Sequence, residues 1–375
     1  MIHHQSNLEK SIENAARVAA ENAAEVDGSG TFPRSAIDAL AAEGLLSLTY
    51  AADIGGAGQG LRTAATVVEA LAGVCASTAM VTMMHYCAVA VIEAHASAKE
   101  RRDAAKGRKL GTLAFSEAGS RSHFWAPMST ATASGDRVSL EADKSWVTSA
   151  GEADLYVWSS RPVAAEGAST LWLVPAEMDG IKIGPSFNGL GMRGNASRPI
   201  TARGASLPSS ARLGSDGGGF DIMMMVVLPW FQVLNAAVSI GIADAAVQKT
   251  AAHAGKARYE HLNQTLADQP INRHHIARMR IQTDLAKALL LDTLDAIETS
   301  RPDTMLRVLE VKAAASEAVV AVTDLAMRVC GGAAFRKEVG VERNFRDARA
   351  STVMAPTTDA LYDFVGKAVC GLPLF

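Results

Sequence analysis

Three textures follow one another along this chain. From residue 1 to about 109, apolar positions recur at helical spacing, as Ile37, Leu40, Ala41 and Leu45 do after the start signal at Pro33 and Ser35. From Leu110 onward, short apolar runs are separated by Gly, Ser, Pro and Asn: Leu113–Phe115, Arg137–Leu140, Leu155–Ser159, Thr170–Val174 and Ile181–Ile183. That punctuation predicts antiparallel strands in a small barrel or sandwich. After the glycine-rich stretch Gly214–Gly219, read as a hinge, helical patterning returns over 221–256, 270–299, 302–330 and 356–370. The expected fold class is mainly α with a β insert: an N-terminal helical domain (1–109), a central antiparallel β domain (110–215) and a C-terminal helical bundle (216–375). A dinucleotide fold of alternating strands and helices is not suggested, and its glycine fingerprint is absent. The Ile54–Gly60 stretch, rich in glycine, has no strand leading into it and reads as a mobile or tight connection between helices.

Composition adds limits. The chain has 375 residues, 49% hydrophobic and 20% charged, which suits two or three packed domains. A net charge of -3 supplies no cationic field for phosphate backbones, so no nucleic-acid partner is expected. Cys75, Cys87, Cys330 and Cys370 lack metal or disulfide spacing and read as free thiols, with no metal site expected. The stretch Ile222–Ala243 has no charged residue, but Pro229, Gln232, Asn235 and Ser239 interrupt it and no second such stretch is seen, so a buried helix is expected rather than a membrane span. Charged residues among the first 25 do not form the apolar core of a signal peptide, and a cytoplasmic location is expected.

The motif-like segments come in a fixed order. Lys144-Ser-Trp-Val-Thr-Ser-Ala-Gly-Glu-Ala-Asp154 stands at the centre of the strand region, preceded by Phe115-Ser-Glu-Ala-Gly-Ser-Arg-Ser122 and followed by Gly189-Leu-Gly-Met-Arg-Gly194. Near the end come Cys330-Gly-Gly-Ala-Ala-Phe-Arg-Lys-Glu338 and Val341-Glu-Arg-Asn-Phe-Arg-Asp-Ala-Arg349. Together these resemble the acyl-CoA dehydrogenases, flavoproteins with helical, β and helical domains in that order. The residue types suit a flavin, whose flat apolar ring with a hydrogen-bonding edge needs an aromatic wall beside hydroxyl and backbone donors. The resemblance implies FAD, with Trp146 packing on the ring and Thr148 and Ser149 at its edge. Phe115, Ser116 and Ser122 would line the pyrimidine side and pyrophosphate, while Arg258, Gly332, Thr357 and Asp359 would hold the dinucleotide. It also implies a homo-oligomer, usually a tetramer, and an electron-transfer flavoprotein as partner.

The resemblance breaks where the family abstracts a proton. An acyl thioester loses its weakly acidic α proton to a general base, which must stand within hydrogen-bond reach. The family's two positions for that carboxylate hold Ala355 and Phe231 here, and the neighbouring CoA-binding Asp and Arg are replaced by Pro229 and Gln232. The catalytic residue is therefore unassigned. His123 is the first histidine to mutate, because the resemblance sets it in a flavin- and substrate-facing turn, whereas His274 and His275 cannot share a helical face and so form no two-ligand metal clamp. The default expectation is α,β-dehydrogenation of an acyl-CoA. The alternatives are a two-component flavin monooxygenase, taking FMN or reduced flavin from a reductase and an apolar substrate along Met223, Met224, Met225, Trp230 and Phe231, or a flavin-free scaffold.

Overall fold

The computed structural model describes residues 2–106, 108–120 and 123–374, with side chains from residue 7. They group into two compact bodies, Met1–Ala64 with Met80–Asn188 and Arg193–Phe231, and Ala65–Ala79 with Gly189–Met192 and Gln232–Phe375.

The chain opens with five helices, α1 (Ile2–Ser29), α2 (Arg34–Ala42), α3 (Leu61–Val74), α4 (Ala76–His95) and α5 (Ala98–Lys106). Helix α4 is apolar all round because it is buried all round, its apolar window being 89% buried. His85 inside it is a structural pin: Nε2 bonds the Leu46 carbonyl at 2.7 Å and Nδ1 accepts the Gly111 N–H at 3.0 Å. Burial holds its pKa down at about 4. The Ile54–Gly60 connection is tight, since a Cβ on Gly56 would fall 2.0 Å from the Tyr50 carbonyl oxygen.

Eight strands follow: β1 (Gly111–Ala114), β2 (Thr130–Ser134), β3 (Arg137–Val147), β4 (Leu155–Ser160), β5 (Thr170–Pro175), β6 (Ile181–Ile183), β7 (Arg198–Pro208) and β8 (Arg212–Leu213). They form two four-stranded sheets, β1-β4-β5-β8 and β2-β3-β7-β6. One pairing departs from the all-antiparallel expectation, because β1 and β4 run parallel. The β2–β3 hairpin lies between them in sequence and supplies the crossover that a parallel pair needs. The Gly214–Gly219 stretch is not the free hinge expected of it. The Asp216 carboxylate accepts N–H bonds from Val163, Ala164 and Ala165 at 2.9–3.0 Å and the Thr170 hydroxyl at 2.6 Å. Burial works against the charge, but these bonds hold the carboxyl well below the usual range.

Helical structure resumes with α6 (Gly219–Ile222), a π-helical turn at Met223–Val227, and α7 (Leu228–Lys256). The wide turn sits just before Pro229, which has no N–H for the helical ladder. A short hairpin of β9 (Arg258–Tyr259) and β10 (Gln264–Thr265) leads to α8 (Pro270–Glu298), α9 (Thr304–Cys330), α10 (Val341–Val353) and α11 (Thr358–Val369). Within the second body, α7 crosses α3 at Gly241, where a Cβ would lie 2.3 Å from the Glu69 carbonyl oxygen. Among the described residues, three helices are long and apolar enough to cross a membrane, at Ala76–His95, Gly219–Lys256 and Thr304–Phe335. This corrects the expectation of a single such segment; their apolar windows are 89%, 72% and 44% buried within the protein.

Candidate active site

Strand β3 carries its chemistry where it stops being a regular strand. Its pairing with β7 slips between Lys144 and Val147, and Trp146 takes a φ of 55°. A left-handed backbone is costly for a large side chain and persists only where the surroundings impose it. The result is a tryptophan 68% exposed at the end of a strand, meeting Phe187 edge-on at 5.9 Å. Ser149 repeats the conformation at φ 59°, opposite Ala196 at φ 49°. The backbones lock there, Ser149 N–H to Asn195 O at 2.9 Å and Ala150 N–H to Ala196 O at 3.1 Å. Thr148 is buried, its hydroxyl 3.3 Å from that of Ser197, whereas the buried Ser149 hydroxyl has no partner.

An ion pair in the interior holds this strand end in place. Lys144 Nζ reaches Glu117 Oε1 at 2.6 Å, the Ser159 carbonyl at 2.8 Å and the Ser159 hydroxyl at 2.9 Å. Glu117 also accepts the N–H groups of Met128 and Ser129 at 2.8 and 3.0 Å and the Ser129 hydroxyl. Burial opposes both charges, yet with this many donors the Glu117 carboxyl lies below its ordinary range. The pair draws the Phe115–Glu117 segment alongside β3, where Ser145 N–H donates to Ser116 O at 2.8 Å. Phe115 is buried and Ser116 half-buried beside it. Ser122 lies outside the described residues. His123 is exposed and stacks on Trp125 at 5.0 Å.

These features fit a flavin. An exposed aromatic face imposed by backbone strain, an orphaned buried hydroxyl and a half-buried serine on the adjoining segment form the wall and the polar edge that such a ring requires. Phe115, Ser116, Trp146, Thr148 and Ser149 are brought together in one body.

The other expected residues belong to the second body, on three separate elements. Arg258 is exposed in the β9–β10 hairpin, where it donates to the Asn263 carbonyl at 3.2 Å. Gly332 lies in a 3₁₀ turn in which an added Cβ would meet nothing. Beside it Met327, Arg328, Gly331, Phe335 and Phe345 line a cavity of about 680 Å³, with Phe335 82% exposed. Thr357 caps α11 by accepting the Ala360 N–H, and Asp359 is exposed in its first turn. Gly191 is required by proximity, since a Cβ there would lie 2.5 Å from the Arg346 carbonyl carbon, while Met192 N–H donates to Asp347 at 2.6 Å.

Ala355, which the resemblance sets at the family's base position, is half-buried. Lys312, fully buried in α9, donates to the carbonyls on either side of it, Met354 at 2.9 Å and Pro356 at 2.7 Å. Sequence reasoning passed over Lys312, whose signal is a lone lysine in the apolar run Val311–Ala315. Glu117 and Lys144 stand within the motifs, 27 residues apart, and no local pattern marks them as a pair.

The family models for the acyl-CoA dehydrogenase N-terminal, middle and C-terminal domains match residues 3–106, 112–204 and 217–370. The chain belongs to the acyl-CoA dehydrogenase family. It is 27% identical to the human mitochondrial short-chain specific acyl-CoA dehydrogenase, covering 95% of this chain and 87% of that protein. It is likewise 27% identical to cyclohex-1-ene-1-carbonyl-CoA dehydrogenase of Geobacter metallireducens, over 95% of this chain and 94% of that one. A glutaryl-coenzyme A dehydrogenase in complex with glutaryl-CoA shares the fold at a TM-score of 0.92 and 22% identity, covering 99% of this chain and 95% of the other. Members of this family are FAD-binding oxidoreductases, and the acyl-CoA dehydrogenase fold agrees with the helical–β–helical order expected from the sequence.

Proposed function

We propose that this acyl-CoA dehydrogenase family member is a flavin-dependent oxidoreductase that removes hydrogen across the CH–CH bond next to an acyl thioester. The strained end of β3 carries the reading, because it spends backbone energy to present Trp146 and leave the Ser149 hydroxyl unpaired. FAD, when bound, supplies the hydride acceptor. Trp146 would pack on its ring, Ser116 and Ser149 would meet its polar edge, and the Glu117–Lys144 pair would hold both segments in register. The proton must leave by another route than residue 355, since an alanine accepts none. An electron-transfer flavoprotein is the proposed acceptor of the electrons. Exposed Ile281 and Leu285 on α8, with Tyr362 and Val369 on α11, support a homo-oligomer, which we place at a tetramer.

The test is the absorption spectrum of the gently purified protein followed by anaerobic titration with acyl-CoAs of several chain lengths. A bound flavin that thioesters bleach is expected. Bound flavin that no thioester bleaches would overturn the reading and favour oxygen chemistry with externally reduced flavin; a protein that takes up no flavin would favour a scaffold.

A further inference from the structure

The first half of α7 buries a row of polar side chains whose oxygens have no hydrogen-bond partner among the described residues. Gln232, Asn235 and Ser239 are each no more than 1% exposed, and steps of three and four residues stack them on one helix face. Both ends of the Gln232 amide, Oδ1 of Asn235 and Oγ of Ser239 have no hydrogen-bond partner. The Asn235 Nδ2 reaches only the Met354 sulfur, a weak acceptor, at 3.8 Å. The buried Ser316 hydroxyl, one turn along α9 from Lys312, and the Thr358 hydroxyl are unpartnered too. Contacts from α7 and α9 converge on the 354–358 segment, through Asn235 at Met354 and Lys312 at Met354 and Pro356. Buried polar atoms are almost always paired, so a row of orphans on a helix face that Asn235 ties to Met354, next to Ala355, marks a place that expects a guest.

We propose that this cluster is a subsite for an uncharged hydrogen-bonding group on the substrate, a hydroxyl or primary amide. The proposal rests on the thioester reading above for the rest of the molecule. The orphans include both donors and acceptors, which only a group that does both can satisfy. A carboxylate accepts without donating, and would leave the oxygens of Gln232 and Asn235 unpaired. An ammonium donates without accepting and adds a cation close to Lys312, whose own bonds go to neutral carbonyls. A plain hydrocarbon would seal the amides away from water unpaired, and a site built to bond a hydroxyl discriminates strongly against the analogue that lacks it.

The test compares 4-hydroxybutyryl-CoA with butyryl-CoA by anaerobic calorimetric titration of the flavin-loaded protein. In parallel, ligand-observed NMR measures the binding of free butyramide, which needs no CoA site. The wild type should prefer the hydroxylated thioester by at least about tenfold and should bind butyramide. Asn235→Val and, separately, Gln232→Leu should remove both effects while butyryl-CoA binding persists. Equal affinity for the two thioesters, or a preference that neither variant alters, would overturn the proposal and assign the amides to structural water. Bleaching by thioesters with no butyramide signal and no hydroxyl preference would sink the subsite and leave the dehydrogenase reading standing. Butyramide binding that depends on Asn235 in a protein that binds no thioester would support the subsite and sink the thioester reading.

Discussion

Trp146 shows how one residue departs from its pattern for a reason. In an alternating strand it would be read as packing, yet the slip in β3 and the left-handed backbone turn it out to 68% exposure. Because it is exposed, Trp146→Ala should change stability by about 0.5 kcal/mol or less. The same substitution should weaken flavin binding by at least about tenfold, since ring stacking adds to the area buried. Flavin titration and thermal melts check the two halves, and tight flavin binding by the variant would remove Trp146 from the site. Ala355 makes the opposite prediction. If a thioester reaches the 354–358 segment, Ala355→Glu supplies a positioned base and should raise the rate of anaerobic flavin bleaching about 10²-fold or more. Stopped-flow bleaching measures this, and an unchanged rate would place the reacting carbon elsewhere.

Among elements, β3 is the one on which the proposed site depends, and its hold comes from a buried ion pair. Glu117→Gln leaves Lys144 charged in the interior without its counterion, beside Ser159 and the Trp158 ring. A loss of about 3–5 kcal/mol is expected, measured by denaturant unfolding, together with loss of flavin retention. A variant as stable as wild type would show that the pair is replaceable. Among the strands legible in sequence, β4 and β5 stand out because their apolar runs are buried almost throughout. Strand β2 escaped because only Ala131 in it is buried, and β7 because a register shift near Arg203 and Gly204 interrupts its alternation. Helix α10 escaped because its buried positions include Asn344, Asp347 and Ser351, which no hydrophobic period reveals.

At the scale of the whole molecule, stability should carry the mark of buried lysines. Burial lowers the Lys312 pKa to about 7, and burial with the nearby Arg343 lowers that of Lys249 to about 8, against 10.5 for an ordinary lysine. Between those values and 10.5 the unfolded chain binds more protons than the folded one, so unfolding free energy rises with pH across that window. Melting temperature should therefore climb from pH 7 toward pH 9.5. Lys312→Met should flatten the climb, while lowering stability overall through the two carbonyls it leaves unpaired. Parallel slopes for variant and wild type would show that Lys312 does not titrate there.

The order of helical, β and helical segments was determined by the sequence alone, because apolar spacing reports which face of each element is buried, and burial is local in pattern. The family motifs were likewise legible as strings, down to Trp146, Ser149 and the missing carboxylate at Ala355. Tertiary structure alone decided how those strings are arranged. The left-handed turn at Trp146, the Glu117–Lys144 pair and the unpaired row of Gln232, Asn235 and Ser239 each depend on groups distant in sequence. Whether a buried polar atom finds a partner is settled by what packs against it, and no period along the chain records that.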